Sequence, residues 1–99
     1  MSSFVKISSP FIKNFEHQNI MASGSYTEVI PKADAYKRRV SVIIQNQGST
    51  SVFFNSDGNS SSGILIAAGF TLSFENYNGA IWIRGNSGGE LVSIAIAYA

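Results

Sequence analysis

The chain has 99 residues, so it is one domain, and its net charge of +1 provides no global field to attract nucleic acid or a membrane. It has no cysteine and a single histidine, His17, which excludes disulfide scaffolds, thiolate metal sites and three-histidine zinc sites within one chain. Charged residues make up 13%, about half the usual share, while Ser, Asn and Gly together form a third of the chain. The surface is therefore built of small neutral polar groups. Such a surface loses little side-chain entropy and has little charge to desolvate when it is covered, which suits contact with another copy or another protein. Loop-rich β structure draws on the same residues.

Residues 1–21 read as an N-terminal arm ahead of a domain over residues 22–99. Apolar side chains cluster there, among them Phe4, Phe11, Ile12 and Phe15. Ser9-Pro10 could cap a short helix that places Phe11 and Phe15 on one face, and an extended arm fits equally well. The cluster either completes the core of its own domain or docks on a neighbour.

From residue 22 the signal is β. Strands are expected over Ser25–Ile30, Arg39–Gln45, Ser51–Asn55, Ile64–Ile66, Phe70–Glu75, Ala80–Arg84 and the last stretch to Tyr98. Between them lie turn-forming segments. Of these, Asn78-Gly79 is the strongest hairpin signal, and the 56–63 loop has no apolar residue. Seven or eight short strands at this spacing predict an all-β fold, a small antiparallel β-sandwich, jelly-roll-like, with an N-terminal arm or short helix. In the last strand Val92, Ile94 and Ile96 alternate with Ser93, Ala95 and Ala97, leaving a flat, uncharged back. Ile43 is apolar where its own alternation points away from the core. Such a surface is a hazard if left open. It is expected to be covered by the arm or paired across an oligomer interface, so Phe4, Phe11, Ile12, Phe15, Ile43, Ser93, Ala95 and Ala97 are the candidate assembly residues.

Residues 1–39 hold six basic and three acidic residues, and residues 40–99 one and three, or +3 against −2. Lys37, Arg38 and Arg39 are the candidate charged contact on this dipole. No serine sits in a nucleophile elbow, and the acidic residues are scattered. Asn55-x-Asp57-x-Asn59 lacks the glycine and glutamate of a calcium loop. The chain is read as a non-enzyme without cofactor or metal. Trp82 is assigned to the core. With Tyr77 it could instead stack on a sugar, which leaves open a cellular carbohydrate-binding domain.

Residues 39–98 carry a further pattern. It runs Arg39-Val40-Ser41-Val42-Ile43-Ile44-Gln45-Asn46, Gly48, Val52-Phe53-Phe54, Ala68-Gly69-Phe70-Thr71-Leu72, Asn78-Gly79-Ala80-Ile81-Trp82-Ile83 and Val92-Ser93-Ile94-Ala95-Ile96. This resembles small β-sandwich virion proteins of tailed bacteriophages, of the head decoration or cement type. The resemblance implies a non-enzymatic homo-oligomer, a trimer or larger, contacting the phage capsid or another virion protein; the low net charge argues against nucleic acid or a membrane as partner. It implies residence in the virion after synthesis in the host cytoplasm, in keeping with the lack of a signal-peptide pattern at residues 1–6. A tail- or fibre-associated module that binds host-surface glycans is the alternative.

Overall fold

The computed structural model describes residues 14–33 and 38–99. Eight strands follow in order: β1 (Asn14–Met21), β2 (Thr27–Ile30), β3 (Arg39–Asn46), β4 (Val52–Asn55), β5 (Ile64–Ile66), β6 (Thr71–Glu75), β7 (Ile81–Gly85) and β8 (Leu91–Tyr98). They form two four-stranded antiparallel sheets, ordered β1-β8-β3-β6 and β2-β7-β4-β5. Every connection except β4–β5 passes from one sheet to the other. That strand order is a jelly roll, and it decides between the sandwich topologies that strand spacing alone left open.

The core lies between the sheets. Val42 and Ile44 of β3 and Val92, Ile94 and Ile96 of β8 face Val52, Phe54, Ile66, Ile81 and Ile83 of the second sheet. The period-2 pleat puts these residues on one side and their polar neighbours on the other, as the alternation predicts. Phe54, Phe74 and Tyr77 close one end of this core, with ring centroids 5.4 to 6.4 Å apart.

Three expectations are corrected. Residues 14–21 are not an arm: they are β1, paired along its whole length with β8, from Asn14↔Tyr98 to Met21↔Leu91. No helical turn places Phe15, which lies in this strand. Its sequence lacks clean alternation, because Ile20 faces the core while Phe15 faces out, so pairing with β8 rather than its own pattern specifies it. The expected helix start at Ser9-Pro10 lies outside the described residues. The boundary at residue 22 is also bridged. Ala22 N–H donates to the Glu90 carbonyl (2.7 Å) and Gly89 N–H to the Ala22 carbonyl (2.7 Å).

Second, Asn78-Gly79 does not close a hairpin. It carries the chain from β6 in one sheet to β7 in the other, with Asn76 just before it in the left-handed region at φ 59°. Third, Trp82 is not core. It is half-buried on the outer face of β7, beneath the β4–β5 loop. Gly58, at φ +77°, lies so close over the indole that a Cβ would meet the ring, so only glycine suits both the backbone and the contact.

Glu90 is a buried carboxylate, 5% exposed. It accepts hydrogen bonds from the Thr50 hydroxyl (2.5 Å), the Ser87 N–H (3.0 Å) and the Ser87 hydroxyl (3.2 Å), joining the β3–β4 and β7–β8 connections. Gly85 faces it, and a Cβ there would collide with the carboxylate. The Thr50 hydroxyl and then the Ser87 N–H favour the ionised form and lower its pKa from 4.5 to about 2. A carboxyl with a lowered folded pKa stabilises the fold above its ordinary value, and that contribution fades as pH falls toward about 2. Denaturant midpoints across that window are therefore expected to drop for the native chain. For Glu90→Gln they should start lower at neutral pH and change less. Parallel curves for the two proteins would refute the role.

Candidate functional site

The outer face of the first sheet is assembled by register. Phe15, Ala97, Ser41 and Glu75 form one row across its four strands; His17, Ala95, Ile43 and Ser73 form the next; Asn19, Ser93, Gln45 and Thr71 form the third. Five of the eight candidate assembly residues, Phe15, Ile43, Ser93, Ala95 and Ala97, thus share one face, although Ala97 is itself buried there. Phe4, Phe11 and Ile12 lie outside the described residues. Phe15 is 62% exposed and Met21, at the far end of β1, 65%. In these three rows the only acidic residue is Glu75, at a corner, and there is no lysine or arginine.

The third row is ordered by side-chain hydrogen bonds. The Ser93 hydroxyl donates to Asn19 Oδ1 (2.5 Å), and Gln47 Nε2 donates to both Ser93 Oγ (2.7 Å) and Gln45 Oε1 (3.0 Å). These contacts hold the amides in fixed positions, so less side-chain entropy remains to be lost when a partner covers them. A shallow depression of about 330 Å³ between His17, Ile43, Ser93 and Ala95 is the concave part of the face. His17, Asn19 and Gln45 were missed in the sequence. Reading residues 14–21 as a strand would have placed His17 and Asn19 beside Phe15.

The charged contact divides. Arg38 is exposed, and Lys37 lies outside the described residues. Arg39 is 2% exposed and is corrected from a surface contact to an internal clamp. Its Nη1 donates to the Gly79 carbonyl (2.6 Å), its Nη2 to the Pro31 carbonyl, and its own N–H to Asn78 Oδ1 (2.9 Å). The cause is a β-bulge. Arg39 pairs with Tyr98 while Ser41 pairs with Ala97, so one extra residue shifts the alternation and turns Arg39 inward.

Two clefts open where the sheets part. One, about 430 Å³, lies between β1 and β2 and is lined by Glu16, Gln18, Ile30, Ile94 and Ile96. The other, about 480 Å³, lies between β5 and β6 and is lined by Phe54, Ile64, Leu72, Phe74 and Tyr77. Tyr77 donates its hydroxyl to the Ala80 carbonyl (2.5 Å), and burial raises its pKa. The space between the sheets themselves is filled by aliphatic side chains together with Phe54 and Tyr98. Among the described residues no three metal-ligating side chains come together. The β4–β5 loop is braced from within. Asn55 Oδ1 accepts the Gly58 N–H (2.9 Å), and Asp57 Oδ1 and Asn59 Oδ1 accept the N–H groups of Asn59 (2.9 Å) and Ser61 (3.0 Å). These side-chain oxygens serve the loop's own backbone. With Trp82 half-covered by this loop, the face that the sugar-stacking alternative needs is reduced.

These features define a jelly roll with a hydrogen-bonded face, free of lysine and arginine in its three rows, on the β1-β8-β3-β6 sheet. The comparisons agree on the fold. The chain is similar to a protein of the Bacillus endospore appendages, described as disulfide-linked pili, with 14% identity over 98% of both chains and a TM-score of 0.53. It is also similar to a cupin domain from Bordetella pertussis, with 12% identity over 89% of this chain and 86% of the other and a TM-score of 0.53. A de novo designed double-stranded β-helix matches at 19% identity, covering 88% of this chain and all of the other, with a TM-score of 0.50. No protein-family model and no curated protein matches the chain.

Proposed function

We propose that the chain is a non-enzymatic structural subunit of a bacteriophage virion, an oligomeric decoration or cement protein acting through contacts with its own copies and the capsid. The observation that carries this reading is the outer face of β1-β8-β3-β6. It carries no lysine or arginine in its three rows and has exposed Phe15 and Met21 at its margin. A surface of small, neutral, pre-ordered side chains has little to desolvate when another protein covers it. The fold shared with a protein of Bacillus pili supports an assembling role. This chain has no cysteine, so its own assembly rests on non-covalent burial. The phage setting rests on the resemblance of residues 39–98.

Light scattering of the full chain after size-exclusion chromatography is expected to give a trimer or larger. Ile43→Arg places a charge at the middle of the face. It should weaken association by about 100-fold, the cost of an unpaired charge in an interface, while the circular dichroism spectrum stays that of the native chain. A full chain that is monomeric and does not co-sediment with capsid shells would overturn the proposal.

A further inference from the structure

The second sheet also has an outer face, of different character, part of which lies under the β4–β5 loop. Arg84 pairs with Phe53 and Phe53 with Leu65, so the three stand side by side across β7, β4 and β5. Tyr26, just ahead of β2, closes the row. The Arg84 guanidinium carbon lies 4.1 Å from the Phe53 ring centroid and 5.4 Å from that of Tyr26. The Tyr26 ring is itself fixed, its hydroxyl donating to the Ser62 carbonyl (2.7 Å). Leu65 is 55% exposed. Arg84 is the one basic residue in positions 40–99, and its buried Nε has no hydrogen-bond partner among the described residues. The structure thus holds a half-buried cation against two aromatic rings. Glu28 is exposed on the same face. It pairs with Trp82, which places it diagonally from Arg84 across β2 and β7.

We infer that this face binds the same face of a second copy about a two-fold axis, the Arg84 of each chain meeting the Glu28 of the other. The inference rests on the assembling role proposed above and names a contact for it. Its warrant is charge complementarity. One cation and one anion set diagonally, about 7–8 Å apart, match their own image after a half-turn, as an isologous interface requires. Tyr26, Phe53 and Leu65 flank Arg84 along its row with apolar area, and aromatic residues and arginine are the types enriched at interface centres. The face lies on the opposite side of the sandwich from Ile43, so both contacts can exist in one assembly.

Sedimentation equilibrium of the full-length chain and its R84E and E28R variants tests this. Each single variant sets like charges against each other twice and is expected to weaken the two-fold association about 30-fold or more. An equimolar mixture of R84E and E28R should restore it, because every contact then joins unlike charges. The R84E/E28R double variant should restore it too. E28R leaves the Arg84 stack intact and keeps the test sound should R84E fold poorly. Single variants that associate as tightly as the native chain would overturn the inference, as would a native chain lacking a two-fold contact. A mixture that stays dissociated would rule out a second copy as the occupant and point to a foreign carboxylate. Loss of assembly in Ile43→Arg alone, with charge-swap behaviour retained, would show that the two contacts are separate.

Discussion

Asn46→Ala is expected to lower the midpoint of thermal unfolding by roughly 12–24 °C, the shift that about 3 kcal/mol gives in a domain of this size. Asn46 is fully buried at the end of β3. Its amide donates to the Thr50 carbonyl (2.8 Å) and the Ile66 carbonyl (2.9 Å), and its Oδ1 accepts the Gly48 N–H (2.9 Å). One side chain thus ties the β3–β4 connection to the end of β5 in the other sheet. Alanine leaves three backbone groups without partners. The Ile66 carbonyl is the most deeply buried of these and costs most to leave unpaired, about 1–3 kcal/mol. Asn46→Asp separates hydrogen bonding from volume. It keeps the acceptor for Gly48 but turns a carboxylate toward two carbonyl oxygens, so at neutral pH it should be at least as unstable as alanine. Differential scanning calorimetry of the two variants checks this, and a shift of only a few degrees in both would show that the amide is not a structural clamp.

Arg39→Met should destabilise by a similar amount, about 3 kcal/mol. Methionine fills most of the volume but leaves the Gly79 and Pro31 carbonyls without their donor. It also frees the β6–β7 crossover from the start of β3. Arg39→Lys keeps the charge and loses the planar fork, so it reaches one carbonyl at a time and should recover only part of the loss. Urea midpoints would rank native above lysine above methionine. An unchanged midpoint for methionine would mean that desolvation of the guanidinium cancels its hydrogen bonds, as it does in some buried ion pairs.

These two residues show where local reading succeeds and where it stops. Gln45-Asn46 was part of the pattern that resembles virion proteins, and the structure supplies a physical reason for the asparagine there. Alternation places Arg39 beside Ser41 and Gln45 and so predicts a surface charge. The bulge that reverses it is a property of the β3–β8 pairing and leaves no mark in the spacing of apolar residues. The candidate face was legible in part. Ile43, Ser93, Ala95 and Ala97 follow from alternation alone. His17 and Asn19 needed β1 to be a strand, which only its partner β8 reveals. The Arg84–Phe53–Tyr26 stack joins three elements distant in sequence and was not legible at all.

By itself the sequence determined that this is an all-β chain, where most of its strands lie, and which side of β3 and β8 faces inward. Those are properties of the local pleat, whose period of two is written in neighbouring residues. Only the tertiary structure decided the jelly-roll order, the recruitment of residues 14–21 as an edge strand, and the use of Asn78-Gly79 as a crossover rather than a hairpin. It alone decided the inward turn of Arg39. Each of these depends on the free energy of contacts between segments far apart in the chain, which no local pattern encodes.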